Sequence, residues 1–386
     1  MPIRSLTAAV WTPSGRGAVA TIRVRGNLTT LSETITRNFH ATSGRSLAEI
    51  PLQRISFGQW GRSEVDSEQS AVGSEASVAE DVVVCRTGPD ACEIHCHGGD
   101  AAVRRILADL RCLGCEIVDW RSQLEAERGV WEREHADALS RATTLRAAGW
   151  IAVQAGRMER AIAELTKLVA NGHRELAASR ANEMLAWANF GSHLTRPWEV
   201  VLAGRPNVGK SSLINALVGF ERSIVFDEPG TTRDVVTAET VLDGWAIRLS
   251  DTAGQRGSAR DLEAAGIARA REAFAAADAR LLLIDVSQPP HADDWQLLTE
   301  WSDAIVVAHK ADLSDIWGEA LPTNAIRVSS LLRTGLKDLS SAIVTRLVPQ
   351  LPPEVAVIPL TDRQRSELMA FRHPLTPNPY TPRGLE

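Results

Sequence analysis

The segment GRPNVGKSS, residues 204–212, combines two glycines with a Lys-Ser pair at the spacing of a phosphate-binding loop. Gly204 and Gly209 let backbone N–H groups turn toward a phosphate, Lys210 adds a positive charge, and the Ser211 hydroxyl offers a ligand for Mg²⁺. A glycine turn with a purely structural purpose leaves the Lys-Ser pair unexplained. We therefore predict that the phosphates are bound by Asn207, Val208, Gly209, Lys210, Ser211 and Ser212.

Two shorter motifs follow, GTTRD at 230–234 and DTAG at 251–254. Thr232 is predicted to close over the metal only when a third phosphate is present, and Asp251 to hold the water shell of the metal. The backbone N–H of Gly254 is predicted to sense the γ-phosphate, with Thr252 and Ala253 beside it. Because such segments are ordered by γ-phosphate contacts and released on hydrolysis, the sequence predicts a two-state switch.

The apolar run ending in HKAD, residues 309–312, indicates which base is bound. Asp312 accepts hydrogen bonds from the N1–H and 2-amino groups of guanine, whereas adenine would place a lone pair against the carboxylate. Lys310 lays its aliphatic stem over the purine. His309 stands where asparagine is usual in this motif and offers one donor when neutral, so we expect weaker but functional guanine binding. In VSSLLRTGL, the Ser329 and Ser330 backbone is predicted to contact guanine O6.

The elements around these motifs alternate as a parallel sheet with crossover helices requires. The predicted strands are VVLAG, WAIRLS, RLLLIDV, AIVVAHK and AIRVSS, and Asp243-Gly244 predicts a hairpin turn. Ahead of them, residues 6–118 indicate an α+β domain with strands at 18–24, 80–84 and 92–97, a helix at 101–113 and a polar surface loop at 58–79. Residues 121–192 indicate helices, and the proline-rich tail after Phe371 is expected to be unpacked.

The composition limits the function classes. The 386 residues carry a net charge of −6 and 44% hydrophobic residues, which excludes a global basic field for nucleic acid or lipid. No secretory signal or membrane-spanning run is apparent, so we expect a cytoplasmic protein without membrane contact. The five cysteines, at 85, 92, 96, 112 and 115, lie on strand-like sequence and are interpreted as reduced thiols in preference to a zinc site.

Taken together, these motifs resemble the tRNA modification GTPases of the MnmE (TrmE) type. PNVGKSSLINAL, GTTRDVV and DTAG followed by LEAAGIARA are similar to the G domain of that family, and GRGAVATIRVRG (15–26) and EIHCHGG (93–99) to its N-terminal domain. The resemblance implies a folate-binding-like, dimerising domain at 1–118 and the first part of a helical domain at 119–196. It also implies a P-loop G domain inserted at 197–348, followed at 349–386 by a remnant of the helical domain and the tail. It implies GTP hydrolysis in wobble-uridine modification, with tRNA, a FAD-dependent partner protein and a second copy of the chain as partners.

The resemblance also implies roles for single residues. Asn207 matches a K⁺ ligand, and the loop that completes the K⁺ site matches Phe226, Asp227, Glu228, Pro229, Gly230, Thr231 and Thr232. Glu263 matches the glutamate that orients the attacking water, although composition alone favours a solvated helix residue. Lys210 and Gly254 complete the expected catalytic set. Arg23 and Glu93 match positions that bind 5-formyltetrahydrofolate.

Two departures from the family pattern leave alternatives open. The segment that supplies a folate-binding lysine in the family reads DWRSQLEAERGVWERE here, and no cysteine after Cys115 matches the family's C-terminal Cys-x-Gly-Lys motif. One alternative is a GTP-regulated scaffold or switch without modification chemistry, which the second departure favours. The other is a ribosome-assembly GTPase, against which the acidic balance and the proline-rich tail speak.

Overall fold

The computed structural model describes residues 6–13, 17–61, 79–220, 237–251 and 276–372. The chain divides into two compact units, Met1–Arg133 and Glu134–Glu386. No helix in the described ranges is long and apolar enough to cross a bilayer.

The first unit is a seven-stranded mixed sheet with helices, in the strand order β3-β4-β5-β6-β2-β1-β7. Its elements are β1 (Thr7–Val10), β2 (Val19–Arg25), α1 (Leu28–Thr36), β3 (Phe39–Ala41), β4 (Ile55–Trp60), β5 (Glu80–Gly88), β6 (Ala91–His97), α2 (Asp100–Cys112), β7 (Glu116–Ile117) and α3 (Trp120–Arg128). Alternate residues of β2 and β6, such as Ile22, Val24 and Ile94, are buried in one core. The opposite face of the same strands carries polar residues, including Arg23 and Glu93.

Three predicted strands and the predicted helix of this unit are confirmed as β2, β5, β6 and α2. The predicted surface loop is wrong at its start, because residues 58–60 belong to β4 and both Gly58 and Trp60 are buried. A side chain at Gly58 would place its Cβ 2.3 Å from the carbonyl oxygen of His40, so this glycine allows a close strand approach rather than a turn. The remainder of that loop, 62–78, lies outside the described residues.

The second unit holds helices and the predicted mostly parallel sheet, which is confirmed. The helices before the sheet are α4 (Val130–Ser140, which begins in the first unit), α5 (Leu145–Ala152), α6 (Arg157–Ala170), α7 (Arg174–Leu185) and α8 (Ala188–Ser192). The rest are β8 (Trp198–Ala203), α9 (Lys210–Val218), β9 (Thr237–Leu242), β10 (Trp245–Asp251), β11 (Ala279–Asp285), α10 (Ala292–Glu300), β12 (Ile305–His309), β13 (Ile326–Val328), α11 (Leu336–Leu347) and α12 (Asp362–Ala370). The strand order is β13-β12-β11-β8-β10-β9, and β9 alone of these six pairs antiparallel to its neighbour.

The polar residues of the candidate site lie at one edge of this sheet, because the carboxyl ends of parallel strands lie on the same side. Strand β8 runs into the phosphate-binding loop, and β10, β11 and β12 end at Asp251, Asp285 and His309. The central strands β8 and β11 are buried along nearly their whole length, as expected for strands covered on both faces. The polar residues at their ends are therefore held on a rigid support.

The turn of the β9–β10 hairpin contacts α5. The predicted turn is confirmed, since Asp243 and Gly244 have φ values of 47° and 77°. Arg146 Nη1 donates to the Asp243 carbonyl oxygen at 2.6 Å and to its carboxylate at 2.7 Å, and the guanidinium carbon lies 4.6 Å from the Trp245 ring centroid. Thr144 Oγ1 donates to the Gly244 carbonyl oxygen at 2.7 Å. These contacts join the start of α5 to the turn between β9 and β10.

Helices that precede and follow the sheet are also joined. Glu134 of α4 is 2% exposed and accepts hydrogen bonds from Arg363 Nε at 2.6 Å and Arg363 Nη2 at 2.8 Å. Gln364 Nε2 donates to the same carboxylate at 2.9 Å. A buried carboxylate with three donors is satisfied, whereas removing its partners would leave an uncompensated charge.

The cysteines are free thiols. Cys85, Cys92, Cys96 and Cys115 are buried and Cys112 is exposed. Burial raises the pKa of both Cys96 and Cys115 to about 11, so these thiols stay protonated at neutral pH.

Candidate nucleotide-binding site

The phosphate-binding loop lies between Ala203, the last residue of β8, and Lys210, the first of α9. Gly204 and Gly209 have φ values of 146° and 103°, and Asn207 has a φ of 62°. A Cβ at Gly204 would lie 2.6 Å from the Leu283 carbonyl oxygen, so only glycine fits beside β11. The loop therefore turns sharply into a helix N-terminus, where unpaired N–H groups and the helix dipole favour an anion.

Lys210 is held inside this loop. Its side chain is buried, and Nζ donates to the carbonyl oxygens of Gly204 at 3.0 Å and Arg205 at 3.2 Å. The carboxylate of Asp251 is 3.9 Å from Nζ. The two carbonyl oxygens and the Asp251 carboxylate hold the ammonium at the phosphate-binding loop, where it can also contact a phosphate.

Oxygen ligands lie next to this lysine. Ser211 Oγ donates to Asp251 Oδ2 at 3.4 Å, and Asp251 is 5% exposed at the end of β10. A hydroxyl beside a carboxylate at a phosphate site is the donor chemistry that Mg²⁺ prefers. These two residues therefore fit the metal that the sequence predicts, and they would hold a magnesium ion beside the phosphate-binding loop.

Lys310 ties the base-binding segment to its neighbours. It has a φ of 61°, and Nζ donates to Asp285 Oδ2 at 2.5 Å and to the Asn207 carbonyl oxygen at 3.2 Å. Burial opposes ionisation of Asp285, but hydrogen bonds from Lys310 and Ser287 outweigh it, so the pKa of Asp285 lies below its ordinary value. Lys310 thus joins β11, the base-binding segment and the phosphate-binding loop.

Asp312 is exposed and is oriented by a buried serine. Ser329, which is fully buried after β13, donates from Oγ to Asp312 Oδ1 at 2.5 Å and accepts from the Leu332 backbone N–H at 3.0 Å. The carboxylate is fixed at one oxygen and faces solvent. It is placed to accept N–H groups from a purine edge.

His309 is buried, and both of its ring nitrogens have partners. Nδ1 lies 2.8 Å from the Val208 carbonyl oxygen, and Nε2 lies 2.7 Å from Ser330 Oγ. Burial lowers the pKa of His309, and the charge of Lys310 lowers it further against the opposing hydrogen bond to Val208. The ring is therefore neutral at physiological pH. Because a carbonyl oxygen only accepts, the proton is on Nδ1 and Nε2 accepts from the Ser330 hydroxyl.

Gly209 packs directly on this imidazole. A Cβ at Gly209 would lie 2.4 Å from His309 Cε1 and 2.6 Å from Nδ1. The second glycine of the phosphate-binding loop is thus required both by its φ and by the histidine beside it. The base-binding segment and the phosphate-binding loop are consequently one packed unit.

Two family models match the chain. One, described as the N-terminus of the GTP-binding protein TrmE, matches residues 6–119, and one described as a 50S ribosome-binding GTPase matches residues 199–310. The tRNA modification GTPase MnmE of Geobacillus thermodenitrificans is 31% identical, over 87% of this chain and 80% of its own length. The protein of the same name from Synechococcus sp. (strain CC9605) is 33% identical, over 90% of this chain and 82% of its own.

The chain belongs to the MnmE family of tRNA modification GTPases. The predicted family is confirmed by these matches, and so are the predicted GTPase activity and the predicted place in tRNA modification at the level of the family. The two ends of the described site, Lys210 with Ser211 and Lys310 with Asp312, lie in or next to the stretch that the GTPase model covers. Ser329 and Ser330 lie beyond it; Ser330 contacts it through His309, and Ser329 contacts Asp312 just after it.

Part of the predicted MnmE site lies outside the described residues. These positions are Phe226, Asp227, Glu228, Pro229, Gly230, Thr231, Thr232, Thr252, Ala253, Gly254 and Glu263. The structure brings together the other predicted residues of the nucleotide site, with Ser212 in the first turn of α9.

The two residues matched to the MnmE folate site lie opposite each other on β2 and β6. Arg23 Nη1 is 3.3 Å from Glu127 Oε2, and Arg25 Nη1 is 3.1 Å from the same oxygen. Glu127 of α3 is 17% exposed, and Asp90 pairs with Arg25 at 2.5 Å. A folate carboxylate would compete with these carboxylates for both arginines. At these two positions a folate carboxylate would therefore meet arginines that already have carboxylate partners.

Sequence reasoning missed Asp285. This residue ends the run RLLLIDV, and the structure shows that it holds Lys310. A usable signal was present, because a carboxylate at the end of a strand next to β12 must lie at the same edge as the base-binding segment. The contacts of His309 carried no such signal, since Val208 is 101 residues away in sequence.

Proposed function

We propose that the protein binds GTP with Mg²⁺ at this edge of the sheet and hydrolyses it to drive modification of the wobble uridine in tRNA. One observation carries the proposal: the segment of the exposed Asp312 is joined to the phosphate-binding loop, which carries the buried Lys210, by the hydrogen bonds of His309 and Lys310 to Val208 and Asn207. A triphosphate and a guanine are the two ligand parts that Lys210 and Asp312 recognise.

When GTP binds, positive charge of the protein and the metal lies next to its β- and γ-phosphates. Lys210 and the N–H groups at the start of α9 hold the β- and γ-phosphates, and Ser211 and Asp251 hold Mg²⁺, which when bound supplies further neutralisation of phosphate charge. Thr232 closes over the metal, the backbone N–H of Gly254 contacts the γ-phosphate, and Glu263 orients the attacking water, as the family resemblance implies. Asn207 is exposed on the loop, and we assign it with residues 226–232 to a K⁺ site that stabilises the transition state.

The output of hydrolysis is a movement of the helices. Arg146 and Thr144 hold the β9–β10 turn, and β9 and β10 lead directly from and to the two segments expected to respond to the γ-phosphate. A change in those segments is therefore passed to α5 through a polar contact. We further propose a cytoplasmic homodimer, paired through the N-terminal domain, that acts with tRNA and a FAD-dependent partner.

Two experiments test this proposal. Cells from which the gene is deleted should lack the modified wobble uridine, measured by mass spectrometry of tRNA nucleosides, and regain it when the gene is restored. Unchanged tRNA would leave a GTP-regulated switch without modification chemistry. GTP turnover by the purified full chain should be faster in K⁺ than in Na⁺, and equal rates would remove Asn207 from the mechanism.

A further inference from the structure

His309 reproduces one half of an asparagine side chain. In both residues a nitrogen is bonded directly to Cγ, so Nδ1 of the ring occupies the position of the asparagine amide nitrogen. The Nδ1–H bond to the Val208 carbonyl oxygen, at 2.8 Å, is therefore one that an asparagine amide would also make. The packing of the ring on Gly209 fixes its orientation.

The second N–H group of an asparagine amide has no counterpart in the imidazole ring. An asparagine amide carries two N–H groups, whereas neutral histidine carries one. Here that single N–H is used for Val208, and Nε2 is an acceptor for Ser330 Oγ at 2.7 Å. The buried ring has no second hydrogen to offer to a ligand.

This matters for the imidazole edge of guanine, where N7 is an acceptor. Lys310 Nζ uses two of its three hydrogens on Asp285 and the Asn207 carbonyl oxygen, and the single Ser330 hydroxyl hydrogen is used on His309. The N1 and 2-amino edge of guanine, in contrast, meets the exposed carboxylate of Asp312.

We propose that His309 is a positioning residue that joins the phosphate-binding loop to the base-binding segment without reading N7, so that guanine is recognised from the Asp312 edge. This inference rests on the proposed function, because it concerns the same GTP pocket. It predicts an unusual tolerance: a guanine nucleotide changed at N7 binds as well as GTP, while one changed at the 2-amino group does not.

The test uses 7-deaza-GTP, in which a C–H group replaces N7. Dissociation constants of GTP, 7-deaza-GTP and inosine triphosphate are measured by calorimetry on the full chain with Mg²⁺. The wild-type protein is expected to bind 7-deaza-GTP within twofold of GTP. Inosine triphosphate, which lacks the 2-amino group, should bind roughly 10- to 150-fold more weakly, as expected for one lost hydrogen bond to a charged carboxylate.

His309→Asn supplies the matched variant. It retains a donor for Val208 and adds one toward the base, so it should prefer GTP over 7-deaza-GTP by roughly 3- to 10-fold, as expected for one added hydrogen bond. Its ratio of inosine triphosphate to GTP affinity should equal that of the wild type. His309→Ala should raise the KM for GTP and for 7-deaza-GTP by the same factor and leave kcat nearly unchanged, because it loosens the loops without touching N7.

The possible outcomes distinguish failure of the inference about His309 from failure of the proposed function. A wild-type preference of fivefold or more for GTP over 7-deaza-GTP would overturn the inference about His309, and so would a His309→Asn protein that binds both equally with normal GTP affinity. Failure of the wild-type protein to bind any of the three nucleotides would instead remove the proposed function. Thermal melting of each variant shows whether it is folded before affinities are compared.

Discussion

Two buried or nearly buried cations, Lys210 and Arg23, have opposite surroundings. Lys210 donates to two carbonyl oxygens of its own loop and lies 3.9 Å from the Asp251 carboxylate, whereas Arg23 lies 3.3 Å from Glu127 and is stacked over Trp11 at 4.8 Å. Carbonyl dipoles orient a cation but leave its full charge, while a carboxylate cancels it. A cation held by carbonyl groups is therefore prepared for an anionic ligand, and one held by a carboxylate already has its counterion.

The largest expected effect concerns the lysine of this comparison. Lys210→Ala should weaken GTP binding by about 2 to 5 kcal/mol, roughly 30- to 5,000-fold, because a desolvated charge contact to phosphate is lost. Binding is measured by calorimetry with Mg²⁺. Lys337→Ala, which removes an exposed lysine of α11, is the matched control and should bind GTP normally. Equal loss in both variants would show that Lys210 has no special role.

A substitution at the base-binding residue Asp312 should reduce GTP affinity less than the substitution at Lys210. Asp312→Asn replaces a charged acceptor and should cost about 1.5 to 3 kcal/mol of GTP affinity, with the preference for GTP over ATP reduced accordingly. The two affinities are compared by competition binding. Asp338→Asn on the exposed side of α11 serves as the control. An unchanged guanine preference in Asp312→Asn would show that another group reads the base.

The Arg23 half of the comparison can be tested by removing its carboxylate partner, Glu127. Glu127→Ala should destabilise the N-terminal unit by about 1 to 3 kcal/mol, because Arg23 and Arg25 are left partly buried without their shared partner. Chemical denaturation measures the loss, and GTP binding should not change. Glu132→Ala, which removes a more exposed carboxylate of α4, should have little effect. Equal stability of the two variants would contradict the assigned pairing.

The smallest effect is a pH dependence from His309. Its folded-state pKa is below the unfolded value of 6.5, so the unfolded chain binds the proton more tightly. The contribution to stability is complete above pH 6.5 and is lost as the pH falls from there through the lowered pKa. Unfolding free energies between pH 7.5 and 5 should therefore fall more steeply in the wild type than in His309→Asn. Parallel curves would show that the imidazole stays uncharged in both states or titrates identically.

The sequence predicted the parts of this site that are encoded locally. The strand before Gly204, the helix after Gly209 and the turn at Asp243-Gly244 each depend on residues within a few positions, and all are confirmed. Glycine spacing, apolar runs and the Lys-Ser pair report local geometry directly.

Contacts between distant segments were not predictable in the same way. The bond of His309 to Val208 and the ion pair of Arg23 with Glu127 join residues that are 101 and 104 positions apart. The sequence alone therefore did not reveal the partner of either residue. Gly58 misled sequence reasoning for the same reason, since the strand that requires a glycine there is β3, which the pattern did not reveal.

The contact between Glu134 and Arg363 has a consequence for biosynthesis, because its partners are 229 residues apart in the chain. At about 5 to 20 residues per second, a ribosome needs roughly 10 to 50 s to synthesise that interval. During this time the carboxylate of the nascent α4 has no arginine to receive it, while the intervening sheet has time to form. The contact between α4 and α12 can form only afterwards, so the translation order allows the nucleotide-binding sheet to fold before these two helices join.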